Sequence, residues 1–243
     1  MSYQARTYRK QIKAEDLEYF QILEFESDLL IGVDQALESQ ALIKVVEVEL
    51  KKLRQIMIDY NQIHPVFFKT LTPMTIDLAA NPIIRDMQEA GITAGVGPMA
   101  AVAGAISKYI GKLLAGYANE IVIENGGDLL VKTKKERRIA LHTGNPHFVD
   151  LGLKITGREQ PLGICTSSGT MGHSLSFGKA DAVTILSENI PLADAAATAL
   201  GNRIKKSSDV QNGLDWIKTI PGILGALIII DDQLGAWGQI VLC

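Results

Sequence analysis

Residues 181–200 read DAVTILSENIPLADAAATAL, an apolar strand-like run followed by an alanine-rich stretch with helical character. The run predicts a strand over residues 181–186 and a helix over residues 192–204. Asp194 and Thr198 are four positions apart and therefore share one face of that helix. A carboxylate and a hydroxyl are hard ligands that Mg²⁺ accepts, which makes both residues metal-ligand candidates and Asp194 a catalytic candidate. Alternatively, Asp194 caps a helix or is a first-turn acid favoured by the helix dipole, with Thr198 merely packed.

The rest of the chain mixes strands and helices without regular βαβ units. Helical spacing covers residues 39–61, Pro82 suits the start of a second helix that ends before Gly91, and a buried helix follows Pro98. A further helix is predicted around residues 210–218. Strands are predicted at residues 7–12, 19–25, 29–33, 120–125, 129–133, 138–142, 151–156, 162–166, 223–230 and 237–242. This order favours an α+β fold, a mainly antiparallel sheet packed with helices, in a single domain over residues 1–243.

A glycine pair marks the next candidate site, in the stretch Glu124-Asn125-Gly126-Gly127-Asp128. Two glycines at a strand end let the backbone approach a ligand closely, while Asn125 and Asp128 present polar groups. This predicts ligand binding by Asn125, Gly126, Gly127 and Asp128. An ordinary hairpin or bulge would give the same pattern.

Hydroxyls and glycines cluster in the stretch CTSSGTMGHS at residues 165–174, after a predicted strand. Their backbone N–H and side-chain O–H groups are suited to cradle phosphate oxygens. His173 is a candidate acid or base, although a hydrogen-bonded structural histidine fits equally well. The segment is neither a Walker loop nor a nucleophile elbow. The candidate cradle residues are Thr166, Ser167, Ser168, Gly169 and Thr170.

The stretch Gly95-x-Gly97-x-x-Ala100 formally matches a loose dinucleotide fingerprint. No firm strand precedes it, and Pro98 removes an N–H donor, so a turn leading into a helix is favoured. Residues 90–107 are uncharged, but several glycines and Pro98 interrupt them. They predict a buried loop and helix rather than a membrane span.

Composition excludes several classes of protein. Apolar residues make up 47% of the 243 positions, so the chain can bury a core. With 24 basic and 27 acidic side chains, a formal charge of -3 and no long basic run, nucleic-acid binding is not expected. The two cysteines give neither a disulfide framework nor a paired metal motif. The amino terminus lacks the apolar core of a secretory signal, which predicts a cytoplasmic protein without membrane partners.

Three segments in this order resemble the ApbE family of flavin transferases: ENGGD at 124–128, TSSGTMGHS at 166–174, and DAVTIL followed by ADAAATAL within 181–200. Members of that family have a GGD-like strand end, a T-S-G segment followed by a histidine, a V-T-V strand and an A-D-A-x-A-T helix start. The likeness spans roughly residues 91–202. With AGVGPMAAVAGAI at 94–106, it is closest to a shorter ApbE-like branch and implies an ApbE-like fold.

The resemblance implies Mg²⁺-dependent cleavage of the FAD pyrophosphate, with the FMN half passed to a Thr or Ser of a target protein or to water. It places Asp194 and Thr198 on the metal, Asp128 near the flavin nucleotide or the metal, and Ser167 and Ser168 beside the phosphates. The implied partners are a nucleotide or flavin ligand and a protein acceptor. The sequence leaves a homo-oligomer open.

One departure from the family supports a second hypothesis. The family's His-x-x-Asp-Pro-x-Thr-Gly segment, which shapes the flavin pocket, is reduced here to HSLSFG at residues 173–178. The usual exported lipoprotein signal of the family is also not found. The alternative is therefore a non-catalytic module that binds a phosphorylated ligand or a partner on the same scaffold.

Overall fold

The computed structural model describes residue 9 and residues 14–34, 39–169 and 177–243. In these residues the strands are β1 (Glu18–Glu24), β2 (Ser27–Val33), β3 (Ile121–Asn125), β4 (Asp128–Thr133), β5 (Arg137–Ala140), β6 (Gly152–Ile155), β7 (Arg158–Ser167), β8 (Ala182–Ser187), β9 (Ile223–Ile230) and β10 (Gln233–Gly238). The α-helices are α1 (Ser39–Ile63), α2 (Pro82–Ala94), α3 (Val102–Leu114), α4 (Ile190–Arg203) and α5 (Val210–Ile217).

One large sheet organises these elements, with the strand order β1-β2-β3-β4-β7-β8-β9-β10. Every neighbouring pair in it is antiparallel. Strands β5 and β6 form a separate antiparallel pair. The predicted α+β fold with a mainly antiparallel sheet is confirmed.

The two faces of the sheet pack against different elements, because successive side chains of a strand point to opposite sides. In β3, Ile121 and Ile123 join the core formed with the helices, whereas Val122 joins the core shared with β5 and β6. Helix α1 turns one apolar stripe toward the first core at helical spacing. Its buried stripe is Leu42, Val46, Leu50, Leu53 and Met57.

The second helix starts where the sequence predicts but ends later. Asn81 caps it, with the side chain accepting a hydrogen bond from the backbone N–H of Ile83 at 3.2 Å, and Pro82 is its first residue. The prediction that it ends before Gly91 is wrong. Gly91 lies inside the helix, where a Cβ would approach the Val96 carbonyl oxygen to 2.8 Å, so its role is close packing. Gly95, with φ of 76°, ends the helix in the left-handed conformation that glycine favours.

Two other predicted strands differ from the structure. The strand expected at 237–242 is wrong, because the last strand is β10 and starts at Gln233, directly after a turn in which Asp231 has φ of 54°. The strand expected at 7–12 lies outside the described residues except for Arg9. The remaining predicted strands match observed ones within a few residues at their ends.

The glycine-rich turn at 95–98 joins two helices, which excludes the dinucleotide fingerprint. That motif needs a strand immediately before it, and α2 stands there instead. In the described part of the chain, no single helix is long and apolar enough to cross a membrane. The segments Pro82–Ala94 and Pro98–Leu114 reach that length and composition only as a pair, which is bent by 105°.

Candidate functional site

The predicted glycine site is the turn of the hairpin between β3 and β4. Asn125 pairs with Asp128 across it, and Gly126 and Gly127 have φ of 72° and 101°. Both angles are positive, as a tight two-residue hairpin turn requires. By strand alternation, Asn125 and Asp128 are on the same side of the sheet as Leu130, the side covered by the helices.

Helix α3 lies lengthwise over this hairpin. At its start, the Asn125 side-chain amide donates to the carbonyl oxygen of Ala103 at 3.3 Å. Two turns further on, a Cβ at Gly111 would meet Leu130 at 2.7 Å and Ile123 at 3.6 Å. The first turn of α3 is therefore placed beside the two polar residues of the hairpin turn.

Helix α4 brings Asp194 to the same place. One oxygen of Asp194 accepts the backbone N–H of Gly104 at 2.8 Å, and the carboxyl also accepts the N–H of Ala103. Ala101, which precedes α3, supplies no capping side chain. Asp194 thus caps α3 from a neighbouring helix, whereas α4 itself is capped by Asn189, whose oxygen accepts the N–H of Leu192 at 3.3 Å.

Asp128 and Asp194 form a buried carboxyl pair. They are 9% and 8% exposed, and the Asp128 side chain is hydrogen-bonded to Asp194. Burial raises the pKa of Asp194 to about 7, against the hydrogen bonds from Gly104, Asp128 and Ala103. Burial and the Asp194 charge raise the pKa of Asp128 well above its usual range. Two adjacent buried carboxyls hold a proton between them more readily than two negative charges.

The other predicted metal ligand, Thr198, lies one helical turn after Asp194 and is half-buried. Its position on α4 keeps it on the same helix face as Asp194, as the spacing predicts. A metal site over these residues would thus draw on hydroxyl and carboxylate oxygens. Within the described ranges, no group of three or more His, Cys, Asp or Glu side chains is arranged for a metal.

The predicted phosphate cradle divides between the two faces of the sheet. The Thr166 hydroxyl bonds the Thr184 hydroxyl at 2.9 Å, on the face away from α4. The backbone N–H of Thr166 reaches the carboxyl pair, donating to Asp128 at 3.1 Å. Ser167 points to the helix face, where a Cβ on Gly201 would approach its hydroxyl oxygen to 3.2 Å.

The remaining cradle residues follow β7. Ser168 directly succeeds the strand, and the N–H of Gly169 donates to the carbonyl oxygen of Ala180 at 2.8 Å. Thr170 and His173, the predicted acid or base, lie outside the described residues. Their roles stay predictions.

A buried ion cluster behind the turn was not predicted. The Oε1 atom of Glu124 accepts the N–H of Gly127 at 2.8 Å, and the Arg9 guanidinium bonds both Glu124 and Asp28. Although burial lowers the pKa of Arg9, the charges of Glu124 and Asp28 raise it overall. No local sequence signal marks this contact, because Arg9 and Glu124 are 115 positions apart.

Two cavities, of about 210 and 390 Å³, lie away from this site. The first is lined by Tyr19, Val122 and Arg137, and the second by the loop between β5 and β6. Val122 belongs to the core on the face opposite to the helices. Neither cavity adjoins the carboxyl pair.

Gly104 sets the distance between α3 and Asp194. A Cβ there would stand 2.6 Å from the Ile190 carbonyl oxygen and 3.0 Å from the Asp194 Cβ. We expect Gly104→Ala to push the two helices apart and to lower the free energy of unfolding by about 1–3 kcal/mol, measured by urea titration. Gly116→Ala is the matched control, since its Cβ would make only an ordinary contact at 3.6 Å. Equal stability of the two variants would contradict the tight helix contact.

A family model described as "AbpE bacteria" matches residues 9–233 of the chain. The chain belongs to the ApbE-like family. Relatives named "UPF0280 protein" support this assignment. The relative from Methanosarcina acetivorans is 35% identical over 234 residues, 96% of this chain and 90% of that protein. The relative from Methanocaldococcus jannaschii is 37% identical over 221 residues, 88% of each chain.

Solved ApbE structures share the fold of this ApbE-like chain. A mutant of the flavin transferase ApbE from Vibrio cholerae has a TM-score of 0.61 at 12% identity, covering 92% of this chain and 97% of that one. The apo flavinyl transferase ApbE of Pseudomonas stutzeri has a TM-score of 0.56 at 14% identity, covering 92% and 94%. At such low identity the likeness establishes the fold.

Proposed function

We propose that this ApbE-like chain binds a flavin nucleotide through a divalent cation and cleaves the pyrophosphate of FAD. The observation that carries the proposal is the buried pair of Asp128 and Asp194 beside the first turn of α3. The fold shared with proteins named as flavin transferases supports flavin as the ligand class.

The donor set fits Mg²⁺. Asp194 and Asp128 supply carboxylate oxygens, and Thr198 lies one turn along the same helix as Asp194. A divalent cation prefers such hard oxygens and can replace the proton that the carboxyl pair holds. Held by Asp128, Asp194 and Thr198, the cation would supply positive charge that stabilises the negative charge developing on the leaving phosphate.

The chain's own groups have distinct roles in this proposal. The hairpin turn and the N–H of Thr166 position Asp128, while the amides of Ala103 and Gly104 orient Asp194. Ser167 and Ser168, at the end of β7, lie beside the phosphates. His173 is proposed as the acid or base that takes the proton of the incoming hydroxyl.

The proposed reaction is a phosphoryl-group transfer. The oxygen of a Thr or Ser hydroxyl, or of water, forms a bond to the FMN phosphorus, and the bond from that phosphorus to the AMP phosphate oxygen breaks. The products are FMN attached to the acceptor, or free FMN, together with AMP. No oxidant or reductant is needed.

The test is incubation of the purified chain with FAD and Mg²⁺, followed by chromatography of the nucleotides. We expect AMP to appear in equal amount to transferred or free FMN, and EDTA to stop it. FAD that remains intact, together with saturable flavin binding, would replace the enzymatic proposal with the binding module described next.

The second candidate is a non-catalytic module that binds a phosphorylated ligand. One observation favours it: Asp194 already has a structural role, because it caps α3 through two backbone amides. A residue kept for that purpose needs no catalytic explanation. We also propose one domain over residues 1–243, in keeping with the span of the family match.

A further inference from the structure

Ser107 has a hydroxyl that is buried and without a hydrogen-bond partner. The residue is 0% exposed, and its Oγ has no donor or acceptor within reach among the described residues. Serine in a helix usually bonds a carbonyl oxygen of the preceding turn or points to solvent. A buried polar atom that does neither destabilises the fold and calls for a physical reason.

The position of Ser107 on α3 places it over the hairpin. It lies on the stripe between Gly104, which adjoins Asp194, and Gly111, which adjoins Leu130 and Ile123. One turn before Ser107, the carbonyl of Ala103 accepts the Asn125 amide. Helical side chains lean toward the amino end of their helix, so the Ser107 side chain leans back along this stripe toward Gly104, the residue that adjoins Asp194.

We propose that Ser107 is a further oxygen contact of the divalent cation held by Asp128 and Asp194, made to the ion or to a water bound on it. This inference rests on the proposed function, since it assumes that the pair holds a cation. A hydroxyl is a hard ligand, and the buried, partnerless Oγ gains its missing interaction when the cation is bound.

The proposal makes two expectations of opposite sign for Ser107→Ala. In the metal-free protein the substitution removes an unsatisfied polar atom and introduces the best helix former, so the thermal unfolding midpoint should rise. Mn²⁺ affinity should fall about 10-fold or more, as with other supporting residues of metal sites. A purely structural role would change the midpoint and leave the affinity alone.

The measurement is Mn²⁺ binding by titration calorimetry on the full chain, with thermal unfolding of the metal-free protein alongside. Ser107→Cys is the second variant, because it keeps the size of the side chain and removes the hard oxygen. Ser187→Ala is the control. Its hydroxyl is equally buried but already bonded, donating to the Gly222 carbonyl at 2.7 Å, so its loss should lower the midpoint and leave Mn²⁺ affinity unchanged.

The outcomes separate this inference from the proposed function. Weaker Mn²⁺ binding by Ser107→Ala and Ser107→Cys, with wild-type affinity in Ser187→Ala, supports the contact. Wild-type affinity in both Ser107 variants overturns it and leaves the metal site standing. If the wild-type chain binds no Mn²⁺, both this inference and the cation in the proposed function are overturned.

Discussion

Replacing Asp194 with asparagine is expected to lower the rate of Mg²⁺-dependent AMP release from FAD by about 100-fold or more. The variant keeps an oxygen that can accept the N–H of Gly104, so the start of α3 stays capped. It removes the negative charge that would hold the cation. Loss of one preorganised electrostatic group of this kind lowers the rate of an enzymatic reaction by about 100- to 1000-fold. Initial rates at saturating Mg²⁺ measure the effect.

Asp215→Asn provides the matched control for Asp194→Asn. Asp215 is on the neighbouring helix α5, where it pairs with Lys218 on the protein surface. The same chemical change there should leave the rate of AMP release at the wild-type value. Full activity in Asp194→Asn would remove this carboxylate from the mechanism, whatever its role in capping.

The stability of the metal-free protein is expected to fall as the pH is raised from about 4 to about 7. The pKa of Asp194 is raised from its ordinary 3.8 to about 7 in the folded chain. Between these values the folded state holds a proton that the unfolded state has released, so the folded state is favoured less as protons become scarce. Asp128, whose pKa is also raised by burial and by the charge of Asp194, acts in the same direction.

Asp194→Asn tests this pH dependence directly. Without the ionisable group, and with the repulsion on Asp128 removed, the fall in the free energy of unfolding over this range should be smaller than in the wild type. At pH 8 the variant should therefore be the more stable of the two, measured by urea titration in EDTA. Parallel curves for the two proteins would show that the carboxyl pair is not the source. Mg²⁺ at pH 8 should stabilise the wild type selectively, since it binds only the folded chain.

The fold was largely predictable because it rests on local patterns. Strand and helix periodicity, the turn at Gly126 and Gly127 and the breaks at Pro82 and Gly95 are all properties of short windows of sequence. The misplaced end of α2 comes from a close contact, since a Cβ on Gly91 would lie 2.8 Å from the carbonyl oxygen of Val96, five positions later in the chain. The prediction failed because it read Gly91 as the helix stop, whereas the left-handed glycine that ends the helix is Gly95.

The candidate site was predictable only in part. The spacing of Asp194 and Thr198 fixed their shared helix face, but nothing local relates Asp194 to the amide of Gly104, 90 positions earlier. Strand alternation does carry a signal about the phosphate cradle. Neighbouring residues of a strand face opposite ways, so Thr166 and Ser167 could not both direct their hydroxyls toward α4.

The contact between Arg9 and Glu124 extends the site to the beginning of the chain. Glu124 is 0% exposed and fixes the Gly127 amide, while the guanidinium that neutralises it comes from the ninth residue. Removing the chain up to and including Arg9 would leave the Glu124 carboxylate buried without its cation. Loss of one partner of a buried ion pair lowers the free energy of unfolding by about 3–5 kcal/mol. Arg9 therefore supplies the positive charge that lets Glu124 stay buried and hold the glycine turn.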